Sequence, residues 1–370
     1  MQYRNFGKTG EKVSALGFGC MRFPVIDGND KEINEAEAIK LIRTAVDSGV
    51  NYVDTAYFYH GGNSEIVVGK ALKDGYREKV MLATKLPVGH VKCEEDVEIL
   101  FNDQLRKLQT DHIDFYLLHA INADSWKNKV LKFDILPKLE KLKAEGKIRH
   151  IGFSFHDDLW AFKMILDGYD RFEFCQIQLN YLNTDYQAGI EGLEYAASKG
   201  LGVIIMEPLL GGKLAVPPES FANLLPKDRH PVEIAFDYLW SRPEVSLLLS
   251  GMGSMQMVED NIKYASRCSI GMMSDEEIAV LADAKKEYDK LTVIPCTGCQ
   301  YCMPCPAGVL IPKVFSAFNL IADGGRRQIK EVFPNIEDVA GLCKECGSCM
   351  KKCPQQINII EMLKIVKDNF

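Results

Sequence analysis

The 370-residue chain has no run approaching the ~18 consecutive apolar residues of a membrane span. Its first residues, MQYRNFGKTGEKVS, lack the apolar stretch of a secretory signal. A cytoplasmic protein with no membrane partner is therefore expected. Positive charge is also in short supply: 44 Lys and Arg face 51 Asp and Glu, a net charge of −7. Nucleic acid is excluded as a default partner, because phosphate binding needs clustered, surplus cations. There is no low-complexity tract, and 47% hydrophobic with 26% charged residues is ordinary globular composition. The length predicts one domain of roughly 250 residues and a smaller one.

Cysteine is not scarce: there are twelve. Disulfides are unusual in a cytosolic chain, and the spacing points to metal instead. One run is Cys296, Cys299, Cys302, Cys305-Pro306; the other is Cys343, Cys346, Cys349, Cys353-Pro354. The second has the full spacing of bacterial ferredoxins, in which three close thiolates hold one [4Fe–4S] cube and the Cys before Pro reaches the other cube. Two [4Fe–4S] clusters are expected, one on Cys296, Cys299, Cys302 and Cys353, the other on Cys343, Cys346, Cys349 and Cys305. The first run has two rather than three residues before its last Cys, and the connection between runs is long, so the crossed pairing stays open. Two Cys₄ zinc sites are the competing reading of paired CxxC knuckles. Cys20, Cys93, Cys175 and Cys268 stand outside the pattern and are expected to pack as small buried hydrophobes.

Upstream, short apolar, β-branched runs alternate with longer amphipathic ones. Strands are predicted at 15–21, 51–56, 80–86, 113–119, 150–155, 174–180, 202–208 and 245–251. Helices are predicted at 35–48, 64–73, 94–107, 126–144, 187–199 and 232–240. Eight βα units in this length fit a closed (β/α)₈ TIM barrel of the α/β class. A doubly wound sheet would want GxGxxG after its first strand, and GFGCMRFP does not supply it. Residues 1–13 read as a hairpin ahead of the barrel. A polar helix at 274–290 follows, and the composition changes at Pro295. The expected domains are a barrel over residues 1–290 and a small, mainly helical ferredoxin-like iron–sulfur domain over 291–370.

Catalytic groups of such barrels sit at the C-terminal ends of strands. Asp54 ends the second predicted strand, with Tyr59 just beyond it; Lys85 ends the third and His119 the fourth. Singly these read as a cap, a packed ring, a surface cation and a core imidazole. Together they form a proton-transfer set. A buried ammonium beside a Tyr hydroxyl stabilises the phenolate, and the carboxylate keeps the ammonium charged and oriented. Tyr59 can then act as a general acid, while His119 hydrogen-bonds a substrate carbonyl oxygen.

NYVDTAYFY, MLATK, IDFYLLH and GKIRHIGFS, in that order and spacing, resemble the landmarks of the aldo-keto reductases over residues 1–265, and the whole chain resembles the members with a C-terminal 4Fe-4S ferredoxin-type domain. The resemblance implies a nicotinamide cofactor across the barrel mouth, an aldehyde or ketone as substrate, and Tyr59 as proton donor. It also implies cofactor contacts: Gly19 and Cys20 through their backbone, Ser154 and Gln176 to the carboxamide, and Met206 stacked on the nicotinamide. Leu209 and Gly211 match the loop after strand seven; Asp260 and Asn261 match the adenine side. Phe155 replaces a usual Asn. The segment SGMGSMQMVEDN, where cations for a 2′-phosphate would fall, offers Gly251, Met252 and Met257 but no Lys or Arg. NAD, NADP and a flavin in their place all stay open.

Three readings of function follow. The first is a carbonyl oxidoreductase with nicotinamide and two clusters. The second is an electron-transfer enzyme fed by ferredoxin or another electron carrier, with flavin or another acceptor in the barrel. The third is a non-catalytic redox-sensing subunit.

Overall fold

In the computed structural model, which describes residues 1–217, 219–291, 293–319, 329–330 and 332–370, the chain packs as two units. One comprises Met1–Pro208 with Phe236–Met273; the other comprises Leu209–Ala235 with Ser274–Phe370.

The first unit opens with an antiparallel hairpin, β1 (Tyr3–Asn5) and β2 (Lys12–Ser14). Eight parallel strands then close into a barrel: β3 (Leu16–Gly19), β4 (Tyr52–Asp54), β5 (Met81–Leu86), β6 (Ile113–Ile121), β7 (Ile148–Phe155), β8 (Phe174–Gln178), β9 (Gly202–Met206) and β10 (Leu247–Gly251). Each predicted strand is present, and β10 returns to pair with β3. These strands are buried on both faces, which is why they read as continuous apolar runs rather than as alternation.

Helices between the strands begin where polar side chains accept orphan backbone N–H groups. Asn34 caps Glu35–Asp47, Asp158 caps Leu159–Gly168 and Ser254 caps Met255–Arg267. One expectation is revised. The segment 126–144 is not a single helix: Trp126–Leu131 has π-type hydrogen bonding, Asp134 turns to φ +44°, and a second helix starts at Ile135. Pro137 explains the break. In a continuous helix its ring would meet the carbonyl of Phe133, whereas in the first turn of a new helix it is harmless.

The N-terminal hairpin closes the end of the barrel at which the strands start. Phe6 is fully buried there, its ring 4.8 Å from Phe115, 5.6 Å from Phe174 and 6.3 Å from Tyr52. Gly202 is needed at the start of β9 because a Cβ would come within 2.8 Å of the Phe6 ring.

The second unit is helical, with Glu219–Ala222, Asp275–Leu291, Ile311–Asn319, Ile336–Gly341 and Ile359–Asp368. Its apolar core includes Val314, Phe315, Phe318, Ile336, Leu363 and Val366, and six of the cysteines from the two runs pack against it. Phe221 and Tyr288 meet edge-on at 5.4 Å, joining the segment after β9 to the long helix. Packing thus groups 209–235 with the C-terminal region, whereas the boundary expected at 290/291 follows chain order. Among the described residues, no helix is long and apolar enough to cross a membrane.

Truncating Phe6 to Ala should remove the plug without touching the opposite end of the barrel. The expected loss is about 3–5 kcal/mol, read as a lower denaturant midpoint of the full protein at unchanged iron content; an unchanged midpoint would contradict this role.

Candidate active site and cluster ligands

At the other end of the barrel, where strands finish, Asp54 on β4 and Lys85 on β5 are both fully buried. Lys85 Nζ donates to Asp54 Oδ1 at 2.6 Å, to the Thr55 carbonyl at 2.8 Å and to the Tyr59 hydroxyl at 3.3 Å. An ammonium has three protons, and these contacts use them all. Tyr59 opens a short turn, Tyr59–Gly62, and its ring centroid lies 4.9 Å from the same nitrogen. Burial raises the Asp54 carboxyl above its usual range, and Lys85 opposes that rise. The pair is interdependent, since removing one member of a buried ion pair costs about 3–5 kcal/mol.

His119 lies edge-on to Tyr59 with ring centroids 6.2 Å apart, and it stacks near Phe58 at 6.3 Å. Burial, then the Lys85 charge, then His156 push its pKa well below the ordinary imidazole value. The ring is therefore neutral at pH 7. A local irregularity places it: β6 loses register with β7 between Leu118 and Ile121, and Ala120 adopts φ +53°. Such bulges re-aim side chains at barrel rims. The Ala120 N–H donates to Ser154 Oγ at 2.8 Å, which ties the bulge to β7.

Of the residues matched to cofactor contacts, most line strand ends. Gly19 pairs with Asp54 on one side and Gly251 on the other. Cys20 is buried; its N–H donates to the Asp54 carbonyl at 2.8 Å and its own carbonyl accepts from Ser64 Oγ at 2.9 Å. Burial raises its thiol pKa well above the usual value, so it packs as an uncharged group. Ser154 and Gln176 are register partners across β7 and β8. Gln176 Nε2 lies 3.5 Å from Met206 Sδ, while its Oε1 is buried with no hydrogen-bond partner among the described residues. Asn261 spends its amide on Ser250 Oγ at 3.1 Å and so anchors the helix Met255–Arg267 to the end of β10; Asp260 is half-buried on that helix. Met252 is buried and Met257 exposed. Leu209 and Gly211 belong to the second unit, where Gly211 (φ +67°) is seated on Thr297: a Cβ would overlap the Thr297 carbonyl oxygen.

Two features escaped the sequence reading. Behind Lys85, the buried Glu65 accepts from Thr84 Oγ1 and Gln104 Nε2, both at 2.7 Å, and its second oxygen faces Lys107 Nζ at 3.3 Å. Gln104 also reaches the Lys85 carbonyl at 3.0 Å and accepts from the Tyr116 hydroxyl at 2.6 Å. These residues come from separate elements with no shared motif, so only the fold assembles them. The other feature is Arg22. Its Cβ and Cγ fill the space beside Gly251, within 2.8 Å of where a Cβ would stand, so a residue with a cationic end group adjoins a segment with no Lys or Arg of its own.

All twelve cysteines are free. Cys20, Cys175 and Cys268 are buried as expected, but Cys93 is exposed. It sits in the turn before the helix Glu95–Leu108, where its N–H donates to Asp96 Oδ2 at 3.2 Å; backbone capping, not core packing, is its setting. Cys296, Cys299, Cys302 and Cys353 line one cavity, together with Thr297 and Phe315. Burial raises Cys302 to about 12, and thiolate charge on Cys299, Cys296 and Cys353 adds to the rise. Burial likewise raises Cys349, whose charged neighbours are Cys343 and Cys305, while Cys346 is exposed on the same run. Each neighbourhood therefore mixes cysteines from both runs. Among the described residues, no group of three or more His, Cys, Asp or Glu is arranged to hold a metal ion.

Comparison with known proteins matches these two regions separately. The model of the aldo/keto reductase family matches residues 15–221, and that of a 4Fe-4S dicluster domain matches 295–358. L-galactose dehydrogenase of Arabidopsis thaliana is 31% identical over 300 residues, spanning 74% of this chain and 91% of that protein. An aldo-keto reductase from Bacillus halodurans, solved in its holo form, superposes with a TM-score of 0.64 at 27% identity, covering 77% of this chain and 96% of its own. One from Klebsiella pneumoniae, solved with NADPH, has a TM-score of 0.60 at 25% identity, covering 76% and 95%. With its closed parallel barrel and its cysteine-bearing C-terminal region, the chain belongs to the aldo/keto reductase family of oxidoreductases and carries a C-terminal 4Fe-4S dicluster domain.

Proposed function

We propose that the barrel reduces an aldehyde or ketone with a nicotinamide nucleotide, that Tyr59 is the proton donor, and that the C-terminal domain holds two [4Fe–4S] clusters. The observation that carries the first part is the contact of Lys85 Nζ with Tyr59 Oη and Asp54 Oδ1 inside a buried strand end.

The residues present fit a nicotinamide group. The unpartnered Gln176 Oε1 is an acceptor suited to a carboxamide N–H, and Ser154 and Met206 stand beside it in the barrel. The Klebsiella relative was solved with NADPH, and the Arabidopsis relative is named a dehydrogenase of L-galactose. When bound, the nicotinamide supplies a hydride to the carbonyl carbon. Lys85 lowers the cost of phenolate formation, so that Tyr59 can give its proton to the substrate oxygen. Asp54 keeps Lys85 charged and aimed. His119, neutral, presents a ring N–H to the oxygen as charge develops there and does not compete with Tyr59 as a cation. Arg22 beside Gly251 offers the charge that the following segment lacks, which keeps both NAD and NADP as candidates.

The cysteines fit cubes better than zinc. One zinc gathers its sulfurs around a single ion at ~2.3 Å, whereas three cysteines at consecutive CxxCxxC spacing followed by Cys-Pro are the pattern of ferredoxins. A cube spreads four thiolates over four irons, as four cysteines around one cavity can do. The mixed neighbourhoods support the crossed pairing, with Cys353 joining the first run and Cys305 the second.

Tyr59→Phe should lower turnover about 10²–10⁴-fold while nucleotide binding, followed by fluorescence quenching, stays within about twofold; equal loss of both would assign Tyr59 to binding alone. The anaerobic protein should carry about eight irons and eight sulfides, and zinc in their place would overturn the cluster assignment. The neutral histidines give a stability signature. Burial lowers the folded pKa of both His119 and His156, that of His156 to about 4 from 6.5. The unfolded chain therefore takes up the proton first, and stability present above pH 6.5 is lost as pH falls toward about 4. Melting temperatures measured across this range should fall, and less so for His156→Gln; an equal fall in that variant would remove His156 from the account.

A further inference from the structure

Thr297 lies between two of the cysteines assigned to the first cluster, Cys296 and Cys299, and it lines the cavity those residues share with Cys302 and Cys353. Only 4% of the residue is exposed, yet its hydroxyl has no hydrogen-bond partner among the described residues. Burying a hydroxyl without a partner is unfavourable, and Val would fill the same volume without that cost. The backbone on either side is held. The Cys296 N–H donates to the Ile294 carbonyl at 2.8 Å, and Gly211 packs so closely on the Thr297 carbonyl that no other residue would fit. The hydroxyl therefore stands on a fixed loop at the wall of a thiolate-lined cavity. The corresponding residue of the second run, Lys344, is exposed, so the two sites differ at this position.

We propose that the Thr297 hydroxyl donates a hydrogen bond to a sulfur of the cluster held by Cys296, Cys299, Cys302 and Cys353, and thereby raises the reduction potential of that cluster. A cluster that accepts one electron becomes more negative, and a donor aimed at its sulfur stabilises that state more than the oxidised one. Thr297 is a tuning residue, distinct from the ligands. The inference rests on the assignment of those four cysteines to one [4Fe–4S] cluster.

The test is an EPR-monitored redox titration of the anaerobic, full-length protein with both clusters loaded. Thr297→Val should shift the midpoint of one cluster to a more negative potential and leave the other in place, while Thr297→Ser should keep the wild-type value. Proton ENDOR of the reduced protein should show an exchangeable coupling that Thr297→Val loses. Thr297→Ala is a second variant without the hydroxyl, so that poor loading of one leaves the other to be read. Unchanged midpoints at full iron content would overturn the proposal, as would a shift in Thr297→Ser equal to that in Thr297→Val. A wild-type protein with no [4Fe–4S] signal would instead remove the cluster assignment on which it stands.

Discussion

The ammonium of Lys85 is buried at the end of a β-strand, and the architecture around it follows from what such a charge requires. A lone buried cation would lose its proton or leave the interior. Here β4 supplies the Asp54 carboxylate at 2.6 Å and the Thr55 carbonyl at 2.8 Å, and the turn after β4 supplies the Tyr59 hydroxyl. The parallel pairing of β4 with β5 makes this possible, since Asp54 sits opposite Ala83, two residues before Lys85. The Lys85 charge then acts outward. It reaches the Tyr59 hydroxyl at 3.3 Å, and after burial it is the next cause that holds the pKa of His119 well below the ordinary imidazole value.

Rigid support behind the pair matters as much as the pair itself. Glu65, Thr84, Gln104 and Tyr116 form a buried network that reaches the Lys85 carbonyl, with Lys107 beside the Glu65 carboxylate. Across the mouth, the irregularity at Ala120 turns His119 out of the regular β6 ladder, and Ser154 on β7 holds that turn by accepting the Ala120 N–H. Strained backbone of this kind persists where surrounding contacts over-determine it. The barrel base answers a different need: Phe6 fills the end that chemistry does not use.

How much of this is legible in sequence depends on the range over which each feature is encoded. The cysteine runs are local, and their spacing alone limits the chemistry. The strands are nearly local: buried on both faces, they stand out as apolar runs, and Asp54, Lys85 and His119 are polar residues ending such runs. The interruption at Asp134 could have been read from Pro137, which no helix interior would hold without a kink. Cys93 had only its residue type as a guide, and type favours burial where a capping turn keeps it exposed. The Glu65 network was out of reach, because its members lie on different elements and only barrel closure brings them together. The same holds for Gly211 and Thr297, 86 residues apart in the chain and in contact within the second unit.

The central claim is that this site transfers hydride directly between nicotinamide and a carbonyl carbon, with Tyr59 handling the proton. The most direct measurement is single-turnover reduction of a panel of aldehydes and ketones by nicotinamide nucleotide deuterated at C4, with the product alcohol analysed by mass spectrometry. The account predicts deuterium retained on the carbinol carbon, from one face of the nicotinamide only. Product carrying solvent hydrogen at that carbon would contradict it and would route the electrons through a one-electron carrier instead.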